Sequence, residues 1–368
     1  MMEGAAVIYN GLQPYFLRPG FLLAGLKSYK ARAALTRETT DAVLNEYGLE
    51  LLREPALPPG GEGRSRTVLV HTNGGKKLLK QYKQSVTQAA IEQEHSILEY
   101  LAGIHFCSAP RLVTTRRGET IVQRDGKKFA LFDFIEGGFQ YYKYILLPHQ
   151  TRDFITLAGD ALAQLHETLA SFTPTGTNPN GFTSRTGDRW HDLKWYLDKL
   201  SECVRSTTTR THSLAERANE LEGMLRALDA ELSEMNLPRT TIHGDYGPHN
   251  LLFLKNAPVV ILDFEIARLD WRALEVVNAL WRFGGSSRAL IRQKNMKWFF
   301  YAFNARLPLT PVELAAIPLL WNFSHVRRCI LNWYEYQRAH DEFNLSKAYR
   351  HLELLDWLQD PRQLLDES

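Results

Sequence analysis

The spacing of apolar residues changes near residue 136 of this 368-residue chain. Before it, apolar positions alternate or come in short runs, the period of half-buried strands; after it they recur at helical spacing. Thr67-Val68-Leu69-Val70-His71-Thr72, a turn at Asn73-Gly74-Gly75 and a return over 76–82 predict a β-hairpin. Further strands are expected over 112–115, 120–123 and 129–134, parted by turns at Arg117-Gly118 and Asp125-Gly126. A short helix over 39–47 is opened by Thr39-Thr40-Asp41 and closed by Gly48. Another, over 87–101, carries Ile91, Ile97, Leu98 and Leu101. Beyond Glu136-Gly137-Gly138, segments 152–171, 190–204, 213–236, 273–283, 287–304, 311–337 and 345–359 read as helices. A strand-rich island over 240–264 interrupts them, with apolar runs at 251–254 and 259–262. The pattern predicts an α+β chain: an extension (1–35), a small β-rich lobe (36–135), a Gly-Gly hinge and a larger, mostly helical lobe (136–368).

Composition narrows the class without naming a partner. Apolar residues make up 44% and charged residues 23%, which excludes collagen-like, disordered and disulfide-scaffold chains. Lys plus Arg (44) against Asp plus Glu (41) leaves +3, too slight a bias to call for nucleic acid or an anionic membrane. Cys107, Cys203 and Cys329 are scattered and odd in number, which fits reduced thiols better than a disulfide framework. No leader-like segment and no apolar run of membrane-spanning length appears, so a cytoplasmic location is expected.

The chemistry concentrates in His243-Gly244-Asp245-Tyr246-Gly247-Pro248-His249-Asn250 and, after a short apolar strand, Leu262-Asp263-Phe264-Glu265. H-x-D-x-x-x-x-N is the spacing of a phosphoryl-transfer catalytic loop. Asp245 would orient an acceptor hydroxyl and take its proton as the new O–P bond forms. The amide oxygen of Asn250 and the carboxylate of Asp263 are hard oxygen donors suited to Mg²⁺. Taken singly, Asp245 could cap a turn and Asn250 could start a strand; the joint spacing favours the catalytic reading.

These residues resemble the aminoglycoside phosphotransferase and choline kinase group of small-molecule kinases. Gly244 stands where protein kinases carry Arg, and Leu162-Ala163-Gln164-Leu165-His166 resembles the helix before that group's catalytic loop. The resemblance extends loosely over 39–283. It implies a bilobal protein-kinase-like fold, ATP and Mg²⁺ as cofactors, and transfer of a phosphoryl group to a small-molecule hydroxyl.

Further site residues follow on that footing. Lys80 closes an apolar pair on the returning strand, where such kinases place the nucleotide-contacting Lys; alternation sets it on one face with Leu78. The alternative is a solvated basic hairpin, since Lys76, Lys77 and Lys83 are near. Glu94, four residues before Leu98, is the candidate partner of Lys80, with a surface helix carboxylate as the bland reading. In Gly60-Gly61-Glu62-Gly63-Arg64-Ser65-Arg66, Gly61, Gly63 and Ser65 are candidate nucleotide contacts, although the loop fits no standard phosphate-binding pattern and reads equally well as a plain hairpin loop. Residues 132–136 resemble the linker that meets adenine. His243 is expected to hold the catalytic loop, His249 to be structural or substrate-facing, and His166 to be a core histidine. One departure stands out: the group's Asp at the start of the next helix is replaced by Glu275, leaving Asp270 to cap that helix.

The acceptor stays open among sugars, amino alcohols, homoserine-like compounds and aminoglycosides. The aromatic late helices (Trp298, Phe299, Phe300, Tyr301, Trp321, Phe323, Trp333, Tyr334 and Tyr336, with Arg327 and Arg328) suit core packing, or an aromatic cage for a quaternary ammonium. A catalytically silent nucleotide-binding or scaffold protein on the same fold is the alternative function. Protein kinase activity is disfavoured by the missing His-Arg-Asp and Asp-Phe-Gly.

Overall fold

A computed structural model describes residues 35–58, 66–84, 86–140, 148–172, 191–255, 259–285, 292–358 and 362. Residues 1–34, and the loop with Gly61, Gly63 and Ser65, lie outside the described residues. Contacts divide the chain into two compact units. The first takes Met1–Phe154, Phe172–Thr186 and Pro248–Ala267; the second takes Ile155–Ser171, Gly187–Gly247 and Arg268–Ser368.

The first unit is built on an antiparallel sheet. Strands β1 (Arg66–Thr72), β2 (Gly75–Gln81), β3 (Leu112–Val113), β4 (Val122–Arg124) and β5 (Lys127–Asp133) lie in the order β1-β2-β5-β3, with β4 also pairing β5. Thr72 pairs with Gly75, so Asn73-Gly74 is the two-residue turn that the sequence predicts. Helix α1 (Arg37–Glu46) is capped by Thr36, whose side chain accepts from the Thr39 N–H. It ends in a Schellman motif: Gly48 N–H bonds Asn45 O at 3.1 Å and Leu49 N–H bonds Leu44 O at 3.1 Å. Gly48 sits at φ +72°, where a side chain is strained. Val43, Leu44, Tyr47 and Leu51 bury one sheet face through Val68, Val70, Leu79, Val122, Phe129 and Leu131.

Alternation along β2 sends Leu79 into that core and Lys80 to the other side. There α2 (Gln88–Gly103), capped by Thr87, buries Ile91, Ile97, Leu98 and Leu101 together with Glu94 and His95. A second antiparallel pair, β7 (Leu251–Leu252) and β8 (Val260–Ile261), belongs to the same unit, joined through Ile261 N–H to Ser108 O at 2.9 Å.

The second unit is helical. It holds most of α3 (Pro148–Leu169), then α4 (Leu193–Arg205), α5 (His212–Glu216), α6 (Ala218–Glu234), α7 (Arg272–Gly284), α8 (Gln293–Arg306), α9 (Pro311–Ala339) and α10 (Glu342–Trp357). A ribbon of β6 (Arg239–Ile242) and β9 (Arg268–Trp271) leads into α7, most of whose residues are buried. Thr310 and Glu313 form a capping box on α9, and Glu313 also receives the Arg272 guanidinium.

Two expectations change here. The helix expected over 213–236 is two helices, parted at Arg217, whose guanidinium bridges Glu220 and Asp356 at the end of α5. Asp270 does not cap α7, because Trp271 takes that place. Asp270 lies buried in β9, where Arg268 Nε at 2.9 Å, His191 Nε2 at 2.8 Å and the Trp271 N–H at 2.7 Å donate to its carboxylate. No helix among the described residues is long and apolar enough to cross a membrane.

Gly159 on α3 lies close against α8: a Cβ there would stand 2.3 Å from the Phe299 carbonyl oxygen. Gly159→Ala is therefore expected to lower the stability of the protein by about 1–3 kcal/mol, through overpacking against backbone that cannot yield. Urea denaturation checks this; an unchanged midpoint would show that α3 and α8 separate freely.

Candidate active site

The first unit gathers one group of the expected residues. Asn250 ends a single 3₁₀ turn (Pro248–Asn250) and leads directly into β7, whereas Asp263 lies two residues past β8. Because Leu251 pairs with Ile261, both residues emerge at the same end of the hairpin, and the Leu262 N–H bonds Asn250 O at 2.8 Å. Asp263 adopts φ +65°, a left-handed conformation that a β-carbon disfavours and that neighbouring structure must hold. Asn250 is buried, and the Asp263 side chain stays 38% exposed, open to a ligand.

Lys80 reaches the same place from the sheet. Its Nζ lies 3.0 Å from Glu94 Oε1 and 3.4 Å from Asp263 Oδ1, with Glu265 Oε2 at 3.9 Å. The other hairpin lysines point elsewhere: Lys76 pairs with Glu136, and Lys77 with Asp133. Burial disfavours the Lys80 ammonium, but Glu94, Asp263 and Glu265 outweigh it and hold its pKa well above the ordinary lysine value. Burial raises the Glu94 carboxyl against the pull of Lys80. Tyr82 Oη donates to Glu94 Oε2 at 2.9 Å, so both carboxylate oxygens are occupied.

The second unit carries Asp245. Arg282, from α7, bridges its Oδ1 at 2.6 Å and bonds the Tyr246 carbonyl at 2.9 Å, so one guanidinium fixes the side chain and the backbone beside it. Tyr246 is buried and donates its hydroxyl to Ala158 O at 2.6 Å. His243 Nδ1 accepts the Asp245 N–H at 3.2 Å, the loop-holding part expected of it.

Glu275 is the brace of this loop. Its carboxylate, 1% exposed, accepts the His243 N–H at 2.8 Å on Oε2 and the Gly244 N–H at 2.5 Å on Oε1. His166 Nε2 lies 2.9 Å from Oε2 and must carry the proton, since a carboxylate only accepts. Gly244 takes φ +82°, which lets two successive N–H groups turn toward one carboxylate. Burial would raise the Glu275 carboxyl, but His166 and His243 pull it below the ordinary value. So Glu275 braces the loop in spite of the departure seen in sequence, and the buried His166 is part of that bracing. His249 is exposed. Trp321, Phe323 and Trp333 are buried and serve packing.

Sequence spacing missed Tyr82, Glu265, Arg282 and the link from His166 to Glu275. Each depends on a partner far along the chain; only Tyr82, two positions after Lys80 and so on its side of the strand, carried a local signal.

Comparison with known proteins gives the family and the fold. Residues 56–307 match the family model described as "Phosphotransferase enzyme family" (APH). A homoserine kinase of Afipia carboxidovorans is 28% identical over 287 residues, covering 75% of this chain and 78% of that protein. A homoserine kinase of Chelativorans sp. is 26% identical over 354 residues, covering 91% and 96%. An aminoglycoside phosphotransferase from Alicyclobacillus acidocaldarius shares the fold with a TM-score of 0.61 at 17% identity, covering 92% of this chain and 96% of that one. The fold class is thus the α+β protein-kinase-like one expected from the sequence.

Glu275→Gln should destabilise the protein by about 3 kcal/mol, because an amide nitrogen would face a buried N–H donor and the charge-assisted bonds would be lost. The native carboxyl titrates below its unfolded value, so its contribution is complete above the ordinary glutamate range and is lost as pH falls through the native pKa. Denaturation of wild type and variant across acid pH checks both; parallel curves would remove Glu275 from the brace.

Proposed function

The chain belongs to the phosphotransferase enzyme family, and from that premise we propose that it moves the γ-phosphoryl group of ATP to the side-chain hydroxyl of homoserine. Phosphoryl transfer to a small-molecule hydroxyl follows from the family and the curated relatives. The acceptor rests on relatives named homoserine kinase, one of them matching over 91% of this chain. The observation that carries the site is the β7–β8 hairpin, which sets Asn250 and Asp263 at one end with Lys80 against Asp263.

In this reading residues 36–135 serve the nucleotide and 136–368 the acceptor. Lys80, held by Glu94, would receive nucleotide phosphate oxygens. The donor set fits Mg²⁺: an amide oxygen from Asn250 and a carboxylate from Asp263 suffice for an ion that keeps water and phosphate oxygens as its remaining ligands. Three carboxylates around one ammonium also leave a local negative excess that a divalent cation offsets. When bound, the ion neutralises charge on the phosphate oxygens.

Asp245 would accept a hydrogen bond from the acceptor hydroxyl and take its proton as the oxygen attacks phosphorus, with ADP departing. Arg282 fixes the carboxylate that does this. No covalent intermediate on the protein is needed, so the rate comes from alignment and charge placement. The loop with Gly61, Gly63 and Ser65 is assigned to the nucleotide as well, from its sequence.

Asp245→Asn should leave nucleotide affinity intact and lower turnover about 10²–10⁴-fold, the usual worth of a general base; near-normal turnover would remove Asp245 from that role. Asp263→Ala should abolish the metal-dependent part of nucleotide binding, read by calorimetry with and without Mg²⁺. Across homoserine, choline, ethanolamine, sugars and aminoglycosides, ADP release should show the highest kcat/KM with homoserine; a better acceptor in that panel would replace it.

A further inference from the structure

We propose that Tyr82 is a positioning residue for Lys80, acting through a directed hydrogen-bond chain that runs from Thr120 through His95 and Tyr82 to Glu94. The proposal rests on the assignment of Lys80 and Glu94 to the nucleotide phosphates and deepens it. Tyr82 and Lys80 are two positions apart on extended chain, and the Lys80 ammonium lies 4.7 Å from the centre of the Tyr82 ring. Tyr82 Oη stands 2.9 Å from Glu94 Oε2 and 3.0 Å from His95 Nε2, and His95 Nδ1 stands 2.7 Å from Thr120 Oγ1. Tyr82, Glu94 and His95 are each less than 5% exposed, so water does not supply the missing bonds.

Proton inventory sets the direction. A phenol has one proton and a carboxylate has none to give, so the Tyr82 hydroxyl donates to Glu94. Its oxygen then accepts from His95, which places that ring's proton on Nε2. The ring is neutral, since burial and the Lys80 charge push it down to about 3. A neutral ring with Nε2–H has a bare Nδ1, which accepts the Thr120 hydroxyl. Every contact in the chain then pairs one donor with one acceptor. The reverse chain would need a proton on Glu94, the group that Lys80 holds as an anion at 3.0 Å.

The result is a carboxylate held at both oxygens, Lys80 on Oε1 and Tyr82 on Oε2. Lys80 Nζ also lies 3.5 Å from Oε2, a long contact, so without the Tyr82 bond the carboxylate is freer to rotate and Lys80 is less firmly placed. On that assignment Lys80 would meet the phosphate end of a nucleotide, so the effect should depend on phosphate.

Two measurements test this. In ¹⁵N-histidine-labelled protein at neutral pH, His95, assigned by its absence from His95→Gln, should show the neutral Nε2–H tautomer. An Nδ1–H tautomer would reverse the chain and overturn the proposal. Separately, Tyr82→Phe keeps the ring but deletes the hydroxyl. It should weaken ADP binding about tenfold, the worth of a hydrogen bond to a charged group, and leave adenosine binding unchanged. Equal losses for ADP and adenosine, as from general loosening, or no loss for ADP, would overturn it. In a Glu94→Gln background the same substitution should add little, since the two act as a unit; a full further tenfold loss there would also overturn it. Wild-type protein that binds neither ADP nor adenosine would instead overturn the functional assignment of Lys80, and the role of Tyr82 with it, while the tautomer still decides the chain itself.

Discussion

An ammonium can be held away from water only where anions surround it, and Lys80 imposes that constraint on the first unit. Its charge is met by Glu94 from α2, by Asp263 after β8 and, at longer range, by Glu265. Those contacts join β2, α2 and the end of the β7–β8 hairpin around one atom, Nζ. Much else follows from that demand. The sheet has to place Lys80 opposite its α1-facing core, the helix has to bury an acid among leucines and isoleucines, and Asp263 has to take a left-handed backbone. A carboxylate buried at Glu94 is costly unless its oxygens are bonded, so Tyr82 and His95 extend the polar cluster into an otherwise apolar layer.

The second unit solves the converse problem with a buried anion. Among the described residues, two backbone N–H groups and His166 hold Glu275, and no lysine or arginine pairs with it. Charge-assisted bonds from backbone tie the anion to chain geometry and not to a rotatable partner, which suits a residue whose task is to set a loop. The extra methylene of Glu relative to Asp is accommodated because Gly244 turns both donors toward it. Arg282, two residues before the end of α7, bonds the Tyr246 carbonyl of the same loop and reaches Asp245 itself.

Legibility in the sequence tracked the range of the interaction. Asn73-Gly74 specified its turn locally, and alternation between Leu78, Leu79 and Lys80 told which side chain leaves the core. The spacing of Asp245, Asn250 and Asp263 carried the chemistry because a short loop and a short hairpin fix those residues relative to nearby backbone. Glu94 was readable only through its helical offset from Leu98, and its surface alternative fell once α2 was seen to bury it. Tyr82 showed only its side of the strand, and Arg282 and the bond from His166 to Glu275 were silent, since an arginine on a helix and a histidine among leucines look ordinary until a distant partner is placed. Asp270 misled for the same reason: an Asp before a helix suggests a cap, but Arg268 and His191 claim its carboxylate.

The distribution of charge bears on how such a site works. The chain as a whole carries only +3, so attraction of a polyanionic nucleotide cannot come from a global field. In the proposed reading it would come from a few fixed charges, such as Lys80, which Glu94 and Asp263 hold in place. Nor is a thiol nucleophile at hand in the interior, where burial pushes Cys203 and Cys329 up to about 12. In the proposed reading the rate would then rest on placement and charge instead of on a cysteine nucleophile. Rigid placement of that kind is what buried, fully bonded polar networks supply, because any rotation of one member leaves another unpaired. The buried groups around Lys80 and Asp245, Glu94, Tyr82 and Glu275 among them, are thus better explained by the precision they impose than by any net gain in stability.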